Sequence, residues 1–320
     1  MSKTPRFPPK PRRIEIILFP GFQIVDAAGP MGAFEIAARF VPDAYALTLV
    51  AARAGLIASS AGAPMPARKI GAGKVDTIIV AGGHGTGEAM RDAALVAAVK
   101  RAPKRARRVA SVCSGAFILA AAGLLDGKTC TTHWRRAAQL ARLFPNLRVE
   151  PDRIHVQDGA IWTSAGVTAG IDLALAMIEG DLGADVAADV AREMVVYAKR
   201  PGGQAQHSAL LEIEAPRFAE LNAWMRDHLS EDLSVDALAR RAAMSPRTFA
   251  RAYAADTGVT PAKAVERLRV DAARAALAQG GAIQETARRT GFGDPERMRR
   301  AFIRLYGAPP AALRRTLRPA

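Results

Sequence analysis

With 320 residues, half of them apolar and neither Gly (27) nor Pro (20) in excess, the chain has material for about two globular domains, which excludes a fibrous or disordered protein. Its net charge of +15 is carried unevenly: residues 219–320 hold 18 Lys or Arg against 11 acids, residues 14–218 hold 22 against 19, and the first 13 hold five cations and no acid. A basic end on a nearly neutral body calls for a polyanionic partner.

Residues 1–12, basic and Pro-rich, are expected to form a disordered tail. The apolar run behind them, Ile14 to Phe19, is too short for a signal segment or a membrane span and reads as a buried first strand. An Ala-rich helix follows over 27–40, with Pro30 in its first turn. Apolar runs at Ala46–Ala51, Thr77–Ala81 and Val109–Val112 read as strands, the last two separated by a helical segment from Glu88 to Arg101. This rhythm is that of an α/β domain with a mainly parallel sheet. The stretch Lys100–Arg108 packs six cations into nine residues and reads either as a solvated helix end and loop or as a secondary contact for DNA or a partner. Further short strands are expected near Cys130 and at Leu147–Val149, Ile154–Val156 and Ala160–Thr163. Helices are expected over Thr168–Glu179 and Asp185–Lys199.

Within this body, Val109-Ala110-Ser111-Val112-Cys113-Ser114-Gly115-Ala116 places a cysteine where a strand bends into a helix, Phe117 to Ala122. Small flanking residues suit so crowded a bend, and a following helix N-terminus is expected to lower the thiol pKa. A second bend, Ala81-Gly82-Gly83-His84-Gly85, offers backbone N–H donors to an oxyanion or carboxylate. Asp26 is a candidate carboxylate beside Cys113, and His133 in Thr131-Thr132-His133-Trp134 a candidate base or ligand contact. Cys130 reads as a small buried apolar residue. Two cysteines make no disulfide framework, which points to the cytoplasm.

Residues 199–216, beginning Lys-Arg-Pro-Gly-Gly-Gln, hold breakers and no apolar period, so they read as a linker, with Ala209–Ile213 able to join either side. Beyond it every apolar pattern is helical. Ala239-Arg240-Arg241, Ser245-Pro246-Arg247, Arg251-Ala252-Tyr253, Gly258 and Pro261 recur as Ala287-Arg288-Arg289, Asp294-Pro295-Glu296, Arg300-Ala301-Phe302, Gly307 and Pro310. The offset is 48 for the first triplet and 49 thereafter, so the second copy has one extra residue in its turn. A short helix, a turn, a capping Ser or Asp, a Pro at the first helical position and an Arg-bearing second helix make a helix-turn-helix. The two units span 233–254 and 283–305, held apart by a long helix over 262–278. Phe249, Tyr253, Met298 and Phe302 face the core. Arg247, Thr248 and Arg251 in the first unit, and Glu296, Arg297 and Arg300 in the second, are the candidate contacts to double-stranded DNA. Arg reads guanine and Glu accepts from cytosine. Two such helices reach successive major-groove faces if they sit about 34 Å apart.

The tail resembles the AraC/XylS family of transcription regulators, down to the closing Phe302-Ile303-Arg304-Leu305-Tyr306-Gly307-Ala308-Pro309-Pro310; Ala312-Leu313-Arg314 departs from the aromatic usual there. The body, over 13–198, resembles the ThiJ/PfpI superfamily in Phe19-Pro20-Gly21, Asp26-Ala27-Ala28-Gly29-Pro30, the Gly-Gly bend, the Cys113 segment, Ala122-Gly123-Leu124-Leu125-Asp126-Gly127 and Thr-Thr-His-Trp. Its subgroup includes isocyanide hydratases and, fused to an AraC tail, GlxA-type regulators; Arg200-Pro201-Gly202-Gly203-Gln204 is similar to the junction of the fused proteins. The resemblance implies an α/β flavodoxin-like parallel sheet sandwich of about 13–198, a linker at 199–216 and an all-α double helix-turn-helix domain at 217–320. It also implies a homodimer, with RNA polymerase as a further possible partner. No cofactor, metal or membrane is expected.

Three readings of the body stay open. It is a sensor that binds a small-molecule effector through Asp26, Gly82, Gly83, His84, Cys113, Ser114 and His133. Or it is a hydratase or amidase with Cys113 as nucleophile and Asp26 or His133 moving protons. Or it is a redox switch acting through Cys113.

Overall fold

Ile14, Ile16, Ile17 and Leu18 are all buried, so strand β1 (Arg12–Leu18) has no solvent face and lies inside a sheet. The computed structural model describes residues 10–151, 153–196, 216–278, 280–306 and 309–311. They fall in two compact units, 1–206 and 207–320. Of the expected linker only Pro216 is described, and the resemblance at 200–204, the Ala209–Ile213 segment and Ala312-Leu313-Arg314 lie outside the described residues. The expected tail keeps residues 1–9 outside them as well, while Arg12 belongs to β1.

In the first unit, β2 (Tyr45–Ala51), β5 (Val75–Val80), β6 (Ala106–Val112) and β10 (Ile161–Ser164) run parallel with β1 in the order β2-β1-β5-β6-β10. A hairpin of β3 (Gly55–Ala58) and β4 (Pro64–Lys69) extends one edge, and antiparallel β9 (His155–Asp158) closes the other. Strands β7 (Thr129–Cys130) and β8 (Arg148–Val149) form a separate pair. Helix α1 (Ile24–Phe40) packs with α7 (Ala169–Leu182) and α8 (Ala184–Glu193), while α3 (Ala93–Lys100) packs with α5 (Gly115–Ala121). Right-handed crossovers from β1 to β2 and from β5 to β6 run in opposite directions, so the two helix layers cover opposite faces. The result is the flavodoxin-like sandwich.

Several boundaries differ from expectation for identifiable reasons. The Gln23 side chain accepts from Val25 N and starts α1 three residues early, which places Pro30 inside the helix rather than in its first turn. The expected helix from Glu88 to Arg101 is broken into α2 (Thr86–Ala89) and α3 because Asp92 caps the latter, accepting from Ala94 N and Leu95 N. The basic stretch is in part the solvated helix end expected, with Lys100, Arg101, Lys104 and Arg107 exposed, but it also has a structural role. It forms α4 (Ala102–Arg105) and the start of β6, and three of its cations lock the sheet. Arg105 grips buried Glu15 at 2.9 and 3.1 Å, while Arg107 and Arg108 converge on Asp181 at the end of α7 at 2.6 and 2.5 Å. Helix α6 (Trp134–Leu143) was not expected.

In the second unit α9 (Ala219–Asp227) precedes α10 (Val235–Arg241), α11 (Pro246–Thr257), α12 (Pro261–Ala278), α13 (Ile283–Arg289) and α14 (Pro295–Tyr306). Helix α12 is a spine. Ala264, Val265 and Leu268 on its first half pack with Phe249 and Tyr253, and Val270, Ala273 and Leu277 on its second half with Met298 and Phe302. The two helix-turn-helix units thus have separate cores on one helix.

Candidate functional site

At the carboxyl edge of the parallel sheet four bends converge. Cys113 follows β6 with φ +56°, a left-handed conformation in a non-glycine residue that marks a strained elbow. Its N–H is shared between the carbonyls of Ser164 (3.1 Å) and Ala165 (3.0 Å), and Thr132 Oγ1 donates to its carbonyl at 2.7 Å. The half-buried thiol hydrogen-bonds to Asp26, and Ser114 N–H donates to the sulfur. Asp26, wholly buried at the start of α1, accepts from Gly82 N at 3.2 Å and Val167 N at 2.9 Å.

Burial raises the Asp26 carboxyl to about 6 against the opposing pull of Val167, Cys113 and Gly82. Burial and then the Asp26 charge push the Cys113 thiol up to about 12. This reverses the expected lowering. Helix α5 has only seven residues, too short a dipole to offset desolvation beside a carboxylate. Cys130 is buried, as expected.

The Gly-Gly bend is built for close approach. A Cβ on Gly82 would stand 2.7 Å from Asp26 Oδ2, Cys113 Cβ and Ser114 N alike. Its N–H donors are engaged within the protein: Gly82 serves Asp26, and Gly83 donates to Ser114 Oγ at 2.9 Å. The bend was expected to offer its donors to an oxyanion or a carboxylate; Gly82 serves a carboxylate, that of Asp26, while the Gly83 donor is taken by Ser114. Ser114 is also within 2.8 Å of Thr86 Oγ1. His84 sits exposed in the turn that follows, with no side-chain hydrogen bond found to it among the described residues. His133 caps α6, its Nδ1 accepting from Arg135 N at 3.3 Å.

The sequence reading missed Gly166 and Val167. A Cβ at Gly166 would come within 2.9 Å of Cys113 Sγ and 2.6 Å of His133 Cδ2, so this glycine lets sulfur and imidazole both pack against the loop. Val167 has φ +57° and turns its N–H onto Asp26. The available signal was Ser164-Ala165-Gly166-Val167, a run of small residues behind a strand like that around Cys113.

In the second unit Arg247, Thr248, Arg251, Glu296, Arg297 and Arg300 are all exposed, on α11 and α14. Ser245 caps α11, accepting from Thr248 N at 3.2 Å and donating to Thr248 Oγ1 at 2.8 Å. Asp294 caps α14, accepting from Glu296 N and Arg297 N. The extra residue of the second turn is Gly293, at φ +72°. Arg299, on the same helix, chelates Glu296 at 2.7 and 2.8 Å and holds its carboxyl below the usual range.

A parallel sheet with a cysteine elbow at its carboxyl edge, on one chain with two exposed Arg-bearing helices each following a capped turn, defines a DNA-binding protein that carries an α/β domain. Residues 12–180 match the DJ-1/PfpI family and residues 238–316 a helix-turn-helix domain. The chain belongs to the DJ-1/PfpI family, in the branch that carries an AraC-type helix-turn-helix domain, and is a DNA-binding transcription regulator. It is 32% identical over 278 residues to the HTH-type transcriptional regulator GlxA of Rhizobium meliloti (strain 1021), covering 85% of each chain. It is 36% identical over 193 residues to the isonitrile hydratase of Pseudomonas putida, covering 59% of this chain and 80% of that one. Among solved structures, a THiJ/PfpI family protein from Pseudomonas syringae superposes with a TM-score of 0.53 at 29% identity over 61% of this chain and 82% of that one. Among the described residues no helix is long and apolar enough to cross a membrane.

Proposed function

We propose that the DJ-1/PfpI unit is a non-catalytic sensor whose occupancy by a small molecule sets how the helix-turn-helix unit binds its operator. The observation that carries this reading is the Cys113–Asp26 pair: a half-buried thiol against a buried carboxyl that accepts from Gly82 and Val167, at the carboxyl edge of the sheet. A thiol held near 12 is a poor nucleophile at rest but a good neutral contact. Asp26, Cys113, Ser114 and His133 form the binding wall, Gly82 and Gly83 supply its close-packed floor, and His84 joins from the exposed turn. Arg247, Thr248, Arg251, Glu296, Arg297 and Arg300 contact DNA. The protein acts in the cytoplasm as a homodimer, with RNA polymerase as a further partner.

Coupling needs a ligand that favours one state of the chain over another. A thermal-shift screen of polar metabolites on the full chain tests the sensor, since a binder stabilises the folded state. We expect a hit whose shift disappears in Cys113→Ala or Asp26→Ala; a hit unaffected by both variants would place the effector elsewhere.

A second reading, a working hydratase, is favoured by the likeness to the isonitrile hydratase. It requires turnover of an isocyanide by the wild type that is lost in Cys113→Ala. The redox reading needs a thiolate, which the raised thiol disfavours.

A further inference from the structure

Ala243 and Gly291 occupy the same place in the two turns, and both have left-handed backbone, φ +54° and +76°. Their surroundings differ. Ala243 is exposed. At Gly291 a Cβ would stand 1.8 Å from the Leu229 carbonyl oxygen and 2.7 Å from Arg269 Nε. Glycine is needed there by contact as well as by conformation.

That contact joins the two units. Leu229 lies just beyond α9 and packs against the first core, Gly291 lies in the second unit's turn, and Arg269 projects from the shared helix α12. Arg269 Nε donates to the Leu229 carbonyl at 3.0 Å, and Nη2 to the Glu231 carbonyl at 3.0 Å. A planar guanidinium forked over two carbonyls fixes direction as well as distance. Among the described residues the two apolar cores are separate clusters on opposite halves of α12, so the fork joins what the packing leaves apart. The clamp also borders a cleft of about 710 Å³ that Arg297 and Arg300 line, so it sits beside the second recognition helix.

We infer that Arg269 and Gly291 are positioning residues that fix the separation and angle of the two recognition helices, so that the protein measures the spacing between the halves of its DNA site. This rests on both units reading DNA. A ruler of this kind rejects sites whose halves are shifted by a base pair, because one base pair moves a half-site by about 3.4 Å and rotates it by about a tenth of a turn.

The test uses the full chain and duplexes selected by the wild type from a random pool. Binding is measured on the selected duplex, on versions with one base pair inserted or removed between the halves, and on versions with either half scrambled. The wild type should lose about tenfold or more in affinity on either spacing change. Arg269→Gln and Gly291→Ala, checked for a retained thermal transition, should bind half-scrambled duplexes within about twofold of the wild type, yet lose most of the spacing penalty. Arg269→Lys, which keeps the charge but not the fork, should behave like Arg269→Gln. If Arg269→Lys matches the wild type throughout, the residue is a phosphate contact and the inference is wrong. Retention of the full spacing penalty in Arg269→Gln and Gly291→Ala also overturns it, as does equal weakening on every duplex. A selected site with a single half would refute the two-reader reading itself, and the ruler with it.

Discussion

Asp26, which the proposed effector site needs, burdens the fold. Its carboxyl titrates at about 6 in the native protein against 3.8 for the ordinary group. Between those values the folded state holds more protons than the unfolded one, so stability falls as pH rises through the window and levels off above it. The full difference is about 3 kcal/mol. In urea unfolding, the advantage of the wild type over Asp26→Ala should therefore shrink between pH 4 and 7; a constant difference would show that the carboxyl is not destabilised by burial. Asp26 and Cys113 were legible because each sits in a short motif behind a strand. Their surroundings were less so. Val167 reaches Asp26 from 141 residues away through a backbone N–H, which no side-chain pattern announces. The occupied donors of Gly82 and Gly83 were equally hidden, since the type of a residue does not say where its N–H points.

Elements follow the same division between local and distant causes. The repeated helix-turn-helix units were readable to within three residues because caps and core aromatics are local signals: Ser245 and Asp294 cap where expected, and Phe249, Tyr253, Met298 and Phe302 are buried. Strand β4 was missed because Pro64 and Pro66 argue against a strand. They are tolerated there because β2 pairs with β4 only at Arg68 and Lys69. The cations of 105–108 looked like surface charge, and only the fold brings Glu15, Asp76 and Asp181 to them. Replacing Glu15 by Gln leaves the Arg105 guanidinium buried without its counter-charge, and should cost about 3–5 kcal/mol in urea unfolding. A loss under about 1 kcal/mol, the range of exposed pairs, would show that the pair is hydrated. For the recognition helices, Arg251→Ala and Arg300→Ala should each cost about 1–3 kcal/mol of operator affinity and relax base preference at one position. Unchanged affinity and footprint would remove that residue from the reading set.

For the whole molecule, the +15 charge acquires two meanings. Part of it is structural, holding the sheet of the first unit together. Another part is displayed on the recognition helices, where Arg247, Arg251, Arg297 and Arg300 are exposed to a polyanion. Charge alone predicts a binder of any DNA; the capped helix-turn-helix units make a DNA-binding regulator, and the sensor proposed for the first unit would make its binding conditional. The central claim is this conditional binding. It is tested most directly by titrating the wild-selected duplex with full-length protein, with and without the small molecule found by thermal shift, and repeating both titrations with Cys113→Ala. The account predicts an operator affinity that changes about fivefold or more with ligand in the wild type, a typical allosteric coupling. In Cys113→Ala it predicts an unchanged ligand-free affinity and no response. Equal affinity with and without saturating ligand in the wild type would contradict it.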